Sequence, residues 1–464
     1  MYTLIACINS RMRTACAWGS FRLSLSLRCE DEMVAWLLSH GASLRRHPGV
    51  AGTSVAGAML CVLTLIAPGA SARAVPMAHT DLTTATKPRC PAAQFGAAVA
   101  ISANTAVIGA PTASRGGAVC IFARSADKWR LQDVLRDPPR GKYDAYGTVV
   151  AVSSTRAGTY VMVGASGDGD NSGSVQPDGP VYVYARSRGS WRLMQTLSDP
   201  AGYHPGNWFD IAMAMSGTSA VISTQGVSGV KHASYVYVLS GHSWRLQATL
   251  RAPRGYGQLA AISGRTVILG SGGLPSVPGA SPDLHLQPED SSGYPDAYVY
   301  VRSGSKWHLQ AHIADRSHDN VDSEFSLAIS GNTALLSGIY VPLFGGSDKG
   351  ADLGHAFAFR RTGSTWHRIP TINDPGDSSG DFSNGMSISG ETAVVGAPEA
   401  QNGCGVAYVF TWTGHKWALR TKLVPPGGRK CGKRAYFGWA VSASGNTAII
   451  GAPGTGKTYV LSIP

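Results

Sequence analysis

The chain has 464 residues, of which 57 are Gly and only 15% are charged, and its formal net charge is +12. That length holds one large or two medium domains, and so few charges leave little material for long solvated helices. Gly, Ser, Val, Tyr and Trp with regularly spaced turns point to an all-β chain.

The first segment reads as a leader. Arg45 and Arg46 precede an apolar run over residues 55–67, and small residues follow at Ala70, Ala72 and Ala74. That is the order of a secretory signal peptide. An N-terminal anchor is the competing reading, and the run is short for a span of roughly 20 residues. Residues 1–74 are therefore expected to be leader and 75–464 the mature chain, with no integral membrane span in it. The stretch before Met33 resembles neither signal nor domain, so Met33 is the expected true start. The leader holds seven Arg and three acids, leaving 33 Lys+Arg against 25 Asp+Glu. This mild surplus is spread along the chain, so nucleic acid is not an expected partner.

A repeat occupies everything that follows. "FGAAVAISANTAVIGAP" starts at Phe95. Weaker copies start at Tyr146, Phe209, Tyr256 and Ser326, and fuller ones at Phe382 and Phe437. A Ser recurs at Ser102, Ser153, Ser216, Ser263, Ser330, Ser389 and Ser444. Seven copies at roughly 45–70 residues match propeller-type periods. Six copies continue to a Trp: Trp129, Trp191, Trp244, Trp307, Trp366 and Trp417. Six positions later stands an aliphatic residue: Leu135, Leu197, Leu250, Ile313, Ile372 or Leu423. Even spacing places each pair on one strand and on the same face.

Each unit reads as four strands. "FGxAVAIS" is the first, and Gly-Asn makes a tight hairpin turn to "TAVIGAP". A third strand such as "VYVYAR" leads through a short turn to the Trp strand. Four antiparallel strands repeated radially are propeller blades. The expected fold is an all-β, seven-bladed β-propeller.

The chain ends on "GAPGTGKTYV", Gly451 to Val460, which matches the phosphate-loop pattern with Lys457 and Thr458 in place. Such a loop needs a helix after it, and only six residues follow Thr458. The stretch is instead the seventh "GAP", and no nucleotide is expected at Gly451–Thr458. This last unit has no Trp strand. Leu82 precedes Phe95 at nearly the spacing of Leu135 before Tyr146. Residues 75–84 are therefore expected to close the ring as the missing outer strand.

Other motifs weigh less. Asp168, Asp170 and Ser172 alternate like the front half of a calcium loop, without a Glu at the twelfth position. The incomplete set favours a plain polar loop; these three are the candidate metal residues, and calcium the candidate ion. "GDSSG" at 376–380 matches a nucleophile elbow, but Pro375 precedes it and a strand follows. His308 and His367 follow the repeat Trp and read as surface positions. The Trp series itself reads as packing between blades, ahead of a sugar-stacking role.

Four cysteines lie beyond the leader: Cys90, Cys120, Cys404 and Cys431. Cys404 falls in a second-to-third-strand loop and Cys431 in the next inter-blade loop, which emerge on one face, so this pair is expected as a disulfide. Cys90 and Cys120 are left, either as a second disulfide or with Cys120 as an inert buried thiol.

The repeats resemble FG-GAP repeats, the units of the integrin α-chain propeller and its bacterial relatives. The resemblance spans residues 75–464 and rests on the recurring aromatic-Gly start and "GAP" end. Calcium-binding members carry an Asp/Asn-rich loop between these halves. Here the connection is "SANT", "SGTS", "SGRT", "SGNT" or "SGET", too short for six or more oxygen ligands, so no cofactor is carried over. The resemblance and the lack of a convincing catalytic set imply a secreted or cell-envelope, non-enzymatic binding or adhesion module. Its expected partner is an extracellular protein or polysaccharide, met by loops 164–179, 270–295, 340–354 and 400–405. The alternative is a propeller-based polysaccharide lyase or hydrolase using acids such as Asp168, Asp170, Asp290 and Asp348.

Overall fold

Short β-rich runs joined by two-residue turns pair first with their sequence neighbours, and this is the arrangement found. The computed structural model describes residues 79–82, 90–113, 116–138, 145–165, 179–202, 208–225, 233–253, 259–270, 296–315, 321–323, 326–340, 354–376, 381–426, 431 and 434–463. All of them lie in one unit running from Ala72 to Pro464. It is a seven-bladed propeller, each blade an antiparallel sheet.

Blade 1 consists of Ala98–Ser102, Thr105–Ala110, Ala118–Ser125 and Lys128–Arg136, from inner to outer strand. Blades 2, 3, 4 and 6 repeat this order over 150–197, 208–250, 259–314 and 386–423. Blade 5 spans 321–373, with its inner strand in two pieces, Val321–Ser323 and Leu327–Ser330. Blade 7 has Val441–Ser444, Thr447–Ala452 and Lys457–Ser462, and its outer strand is His79–Asp81. His79 pairs with Leu461, Thr80 with Val460 and Asp81 with Tyr459. Leu82 continues the seam by donating its N–H to the Thr458 carbonyl at 3.0 Å. The inner strands touch from blade to blade all the way round.

The core lies between blades. Val119, Ile121 and Leu135 of blade 1 pack with Val161, Val163, Tyr184 and Trp191 of blade 2. Leu197 of blade 2 meets Trp244 of blade 3 in the next layer. At the seam the same place is filled by Leu82, fully buried beside Phe95 and Trp129. The repeat Trp is thus inter-blade packing, as its regularity implies.

One expectation is corrected. The Trp and the aliphatic residue six positions on share a strand but not a face. Trp129 faces blade 7, whereas Leu135 faces blade 2. The cause is a β-bulge in every outer strand of blades 1 to 6. In blade 1, Ile121 pairs with Asp133 and Phe122 with Leu131, so Gln132 has no partner. One extra residue inverts the alternation beyond it. The strand can then serve both neighbouring layers. Bulge side chains also reach across: Gln247 accepts from the Trp307 indole at 2.9 Å, and Gln310 from Trp366 at 3.2 Å.

The recurrent Ser has a role that its recurrence alone did not reveal. The Ser444 hydroxyl accepts from the Ala103 N–H, and Ser102 accepts from the Ser154 N–H. Ser216, Ser263, Ser330 and Ser389 accept from the N–H of Gly264, Gly331, Gly390 and Gly445. Between blades 2 and 3 the direction reverses, and Ser153 donates to the Gly217 carbonyl at 2.9 Å. Each of the seven joints carries one such bond. The first turn residue holds the positive φ, as at Gly331 (56°) and Gly445 (55°), the type II′ arrangement that fits strand twist.

Buried tyrosines give the fold an alkaline limit. Burial raises the hydroxyls of Tyr146, Tyr184, Tyr235, Tyr237 and Tyr300, and lifts Tyr459 to about 12. An unfolded tyrosine ionises near pH 10. Folded values above that leave this stability intact below about pH 10 and remove it as pH rises further. Thermal midpoints are expected to hold to about pH 9 and to fall between about pH 10 and 12. Tyrosinate absorbance of these residues should grow in step with unfolding. Their ionisation near pH 10 in a still-folded chain would contradict the burial.

Candidate functional site

Antiparallel order fixes which connections share a face. First-to-second and third-to-fourth connections leave one end of each blade. Second-to-third and inter-blade connections leave the other, which we call the loop face. The expected recognition loops belong to this face. Residues 166–178, 271–295 and 341–353, and with them Asp168, Asp170, Ser172, Asp290 and Asp348, lie outside the described residues. Among the described residues no group of three or more His, Cys, Asp or Glu is placed to hold a metal ion. His308 and His367 are exposed on outer strands. Two unforeseen pairs are present: His312 Nε2 lies 2.7 Å from the buried Asp296 carboxylate, and Arg368 lies 2.7 Å from that of Asp315.

Both disulfides form. Cys404 and Cys431 have Cα atoms 5.7 Å apart, and Cys90 and Cys120 have theirs 6.3 Å apart. Cys120 is buried in its strand, and of its two readings the disulfide holds. The Cys404 loop is also tied by backbone bonds to the chain entering blade 7. Tyr436 donates its N–H to the Gly403 carbonyl at 3.0 Å, and Phe437 to that of Cys404 at 3.1 Å. Replacing Cys404 and Cys431 together by Ser opens a loop whose ends are 27 residues apart. The expected loss is about 3 kcal/mol, read as a lower midpoint in denaturant titration; an unchanged midpoint would contradict it.

The phosphate-loop pattern is strand, turn and strand. Gly451 and Ala452 end one strand, Pro453–Thr455 make a 3-10 turn, and Lys457 opens the next. Gly456 takes φ +60°, and a side chain there would strike the Ala92 carbonyl. One at Gly454 would strike the Arg434 carbonyl. These glycines let two other segments close directly on the turn.

The closure leaves an open concavity of about 730 Å³ at the seam of blades 7 and 1. Gln94 and Thr112 line one side, Arg434 and Tyr436 the other, and Thr455 the turn between them. Arg434 is exposed, and its pKa is raised above the ordinary arginine value by its hydrogen bond to Tyr436, then by the charges of Tyr436 and Glu399. The Tyr436 ring meets Trp439 edge-on, with centroids 6.0 Å apart. Gln94 (φ 48°) and Tyr436 (φ 55°) have left-handed backbone, but so does Ala145 (φ 38°) before the aromatic of blade 2. That strain belongs to the repeat and not to the concavity. The turn of the phosphate-loop pattern supplies one part of the site, and no single motif marks the whole, because the other walls come from distant parts of the chain.

Seven blades, four of them starting on an aromatic-Gly pair and three carrying "GAP" at the end of the second strand, define a repeat propeller. Residues 91–122 and 417–460 match the family model described as FG-GAP repeat. The chain is thus a seven-bladed propeller that carries FG-GAP repeats in these two segments. No curated protein matches it. Among solved structures, it is similar to a protein from Lactobacillus plantarum at 14% identity, covering 72% of this chain and 85% of that one with a TM-score of 0.46.

Proposed function

We propose that the protein is a secreted or cell-surface, non-enzymatic binding or adhesion module that meets an extracellular protein or polysaccharide through its loop face. Residues 1–74 are its leader, cleaved near Ala74. The observation that carries the reading is the seam. There the loop face holds an open concavity with a mixed polar and apolar lining, whose walls are braced by both disulfides. Disulfides persist in oxidising compartments, which supports the extracellular placement. Walls that are already in place supply recognition at low ordering cost.

The test is a pull-down with the purified protein against the producing cell's envelope fraction and a panel of soluble polysaccharides, washed in parallel with high salt and with chelator. Retention of a protein or glycan through salt supports the reading. Loss in chelator would bring the loop at Asp168 into play. No retention, with a polysaccharide shortened after incubation, would overturn it.

A further inference from the structure

We propose that the seam concavity binds the carboxylate-bearing sugars of an acidic polysaccharide. This rests on the binding-module reading and names its ligand and its place.

The geometry is preorganised. Cys90 lies two residues before Ala92, and its disulfide to Cys120 fixes the wall that carries Gln94. Cys431 lies three residues before Arg434, and its disulfide to Cys404 fixes the wall that carries Arg434 and Tyr436. Gly454 and Gly456 seat the turn between them against both backbones. Three segments far apart in sequence are thus held at one point, and a ligand there meets walls already in place.

The chemistry selects the ligand. Among the described residues the lining has one guanidinium, one amide, three hydroxyls and no carboxylate, with the Glu399 charge acting on the guanidinium from outside it. The Arg434 guanidinium, held by its hydrogen bond to Tyr436, presents a planar fork that fits one carboxylate. Gln94, Thr112 and Thr455 offer neutral donors and acceptors suited to sugar hydroxyls. The ring of Tyr436, propped by Trp439, adds an aromatic surface at the rim. The apolar lining comes from Ala92, Ala93, Pro453, the two glycines of the turn and the Tyr436 ring, spread over an open concavity. A protein partner would need a deeper apolar pocket for its aromatic or aliphatic anchors. The basic surplus beyond residue 74 favours approach of an anionic polymer.

The experiment measures binding of a galacturonate oligomer and its methyl-esterified, uncharged form to the purified protein. A sulfated polysaccharide and an acidic peptide are the comparison probes. Binding of the free acid, with at least tenfold weakening on esterification, is the expected result. Arg434→Ala should weaken it at least tenfold, Arg434→Lys less, and Arg192→Ala, an exposed site on blade 2, not at all. Arg434 packs its side chain beside Gly403, so each variant's thermal midpoint is recorded. Arg434→Gln, which keeps most of that packing, must also lose binding.

Equal binding of acid and ester, preference for the sulfated polymer or the peptide, or full affinity in Arg434→Gln would overturn the site. Binding of any other partner in the pull-down would leave the module reading standing after such a result. A shortened oligomer with no complex would remove both.

Discussion

Replacing Gly451 by Ala should cost the propeller at least about 3 kcal/mol, the upper end of the usual overpacking penalty. A Cβ there would fall on the carbonyl of Gly96, which opens blade 1. Gly396 meets Gly438 and Gly109 meets Gly147 in the same way. Each contact sets the glycine of one "GAP" against the glycine of the next aromatic-Gly start. The obstacle is backbone, so no side chain can swing aside. The comparison is Gly445→Asn, at φ +55° with nothing within 4 Å, expected to cost no more than about 1 kcal/mol. Denaturant titration of the two variants decides the matter. A Gly451→Ala protein as stable as the parent would mean that the joint can open without loss.

Leu82→Ala should cost about 2–5 kcal/mol, the range for emptying a large aliphatic site in a packed core. Leu82 is the blade 7 member of the layer that holds Phe95 and Trp129. Removing residues 1–82 goes further, because it leaves Lys457–Ser462 without its outer partner strand. A bare apolar edge invites pairing with other molecules, so the truncated chain is expected to aggregate on purification, as read by size-exclusion chromatography. A monomeric truncated chain with an unchanged melting curve would show that the seam adds nothing to the ring.

Much of this architecture is legible in the letters. Repeated Ser, Trp and Gly-Ala-Pro positions count the blades, and the spacing of Leu82 before Phe95 closes the ring. The pairing of Cys404 with Cys431 follows once the loops are assigned to one end. The face of each Trp did not follow. A bulge adds one residue without changing the strand's composition, and Gln132, Met194, Gln247 and Gln310 look like ordinary strand residues. The recurring Gln three places after Trp was the available signal. The seam concavity was hidden for a different reason. Gln94 and Arg434 are neighbours only because the ring closes there, and no pattern within either segment announces the other.

The serine bonds at the inner turns have a mechanical consequence. They form a hoop with no free end, so tension applied between any two blades divides between two arcs. Failure of one link passes its load to the other arc, so the two blades stay connected. The weaker element under pulling is the sheet of blade 7, where the covalent path is interrupted and three residue pairs, His79–Leu461 to Asp81–Tyr459, stand in for it. A tether attached ahead of His79 would peel those pairs before it strained any joint between blades.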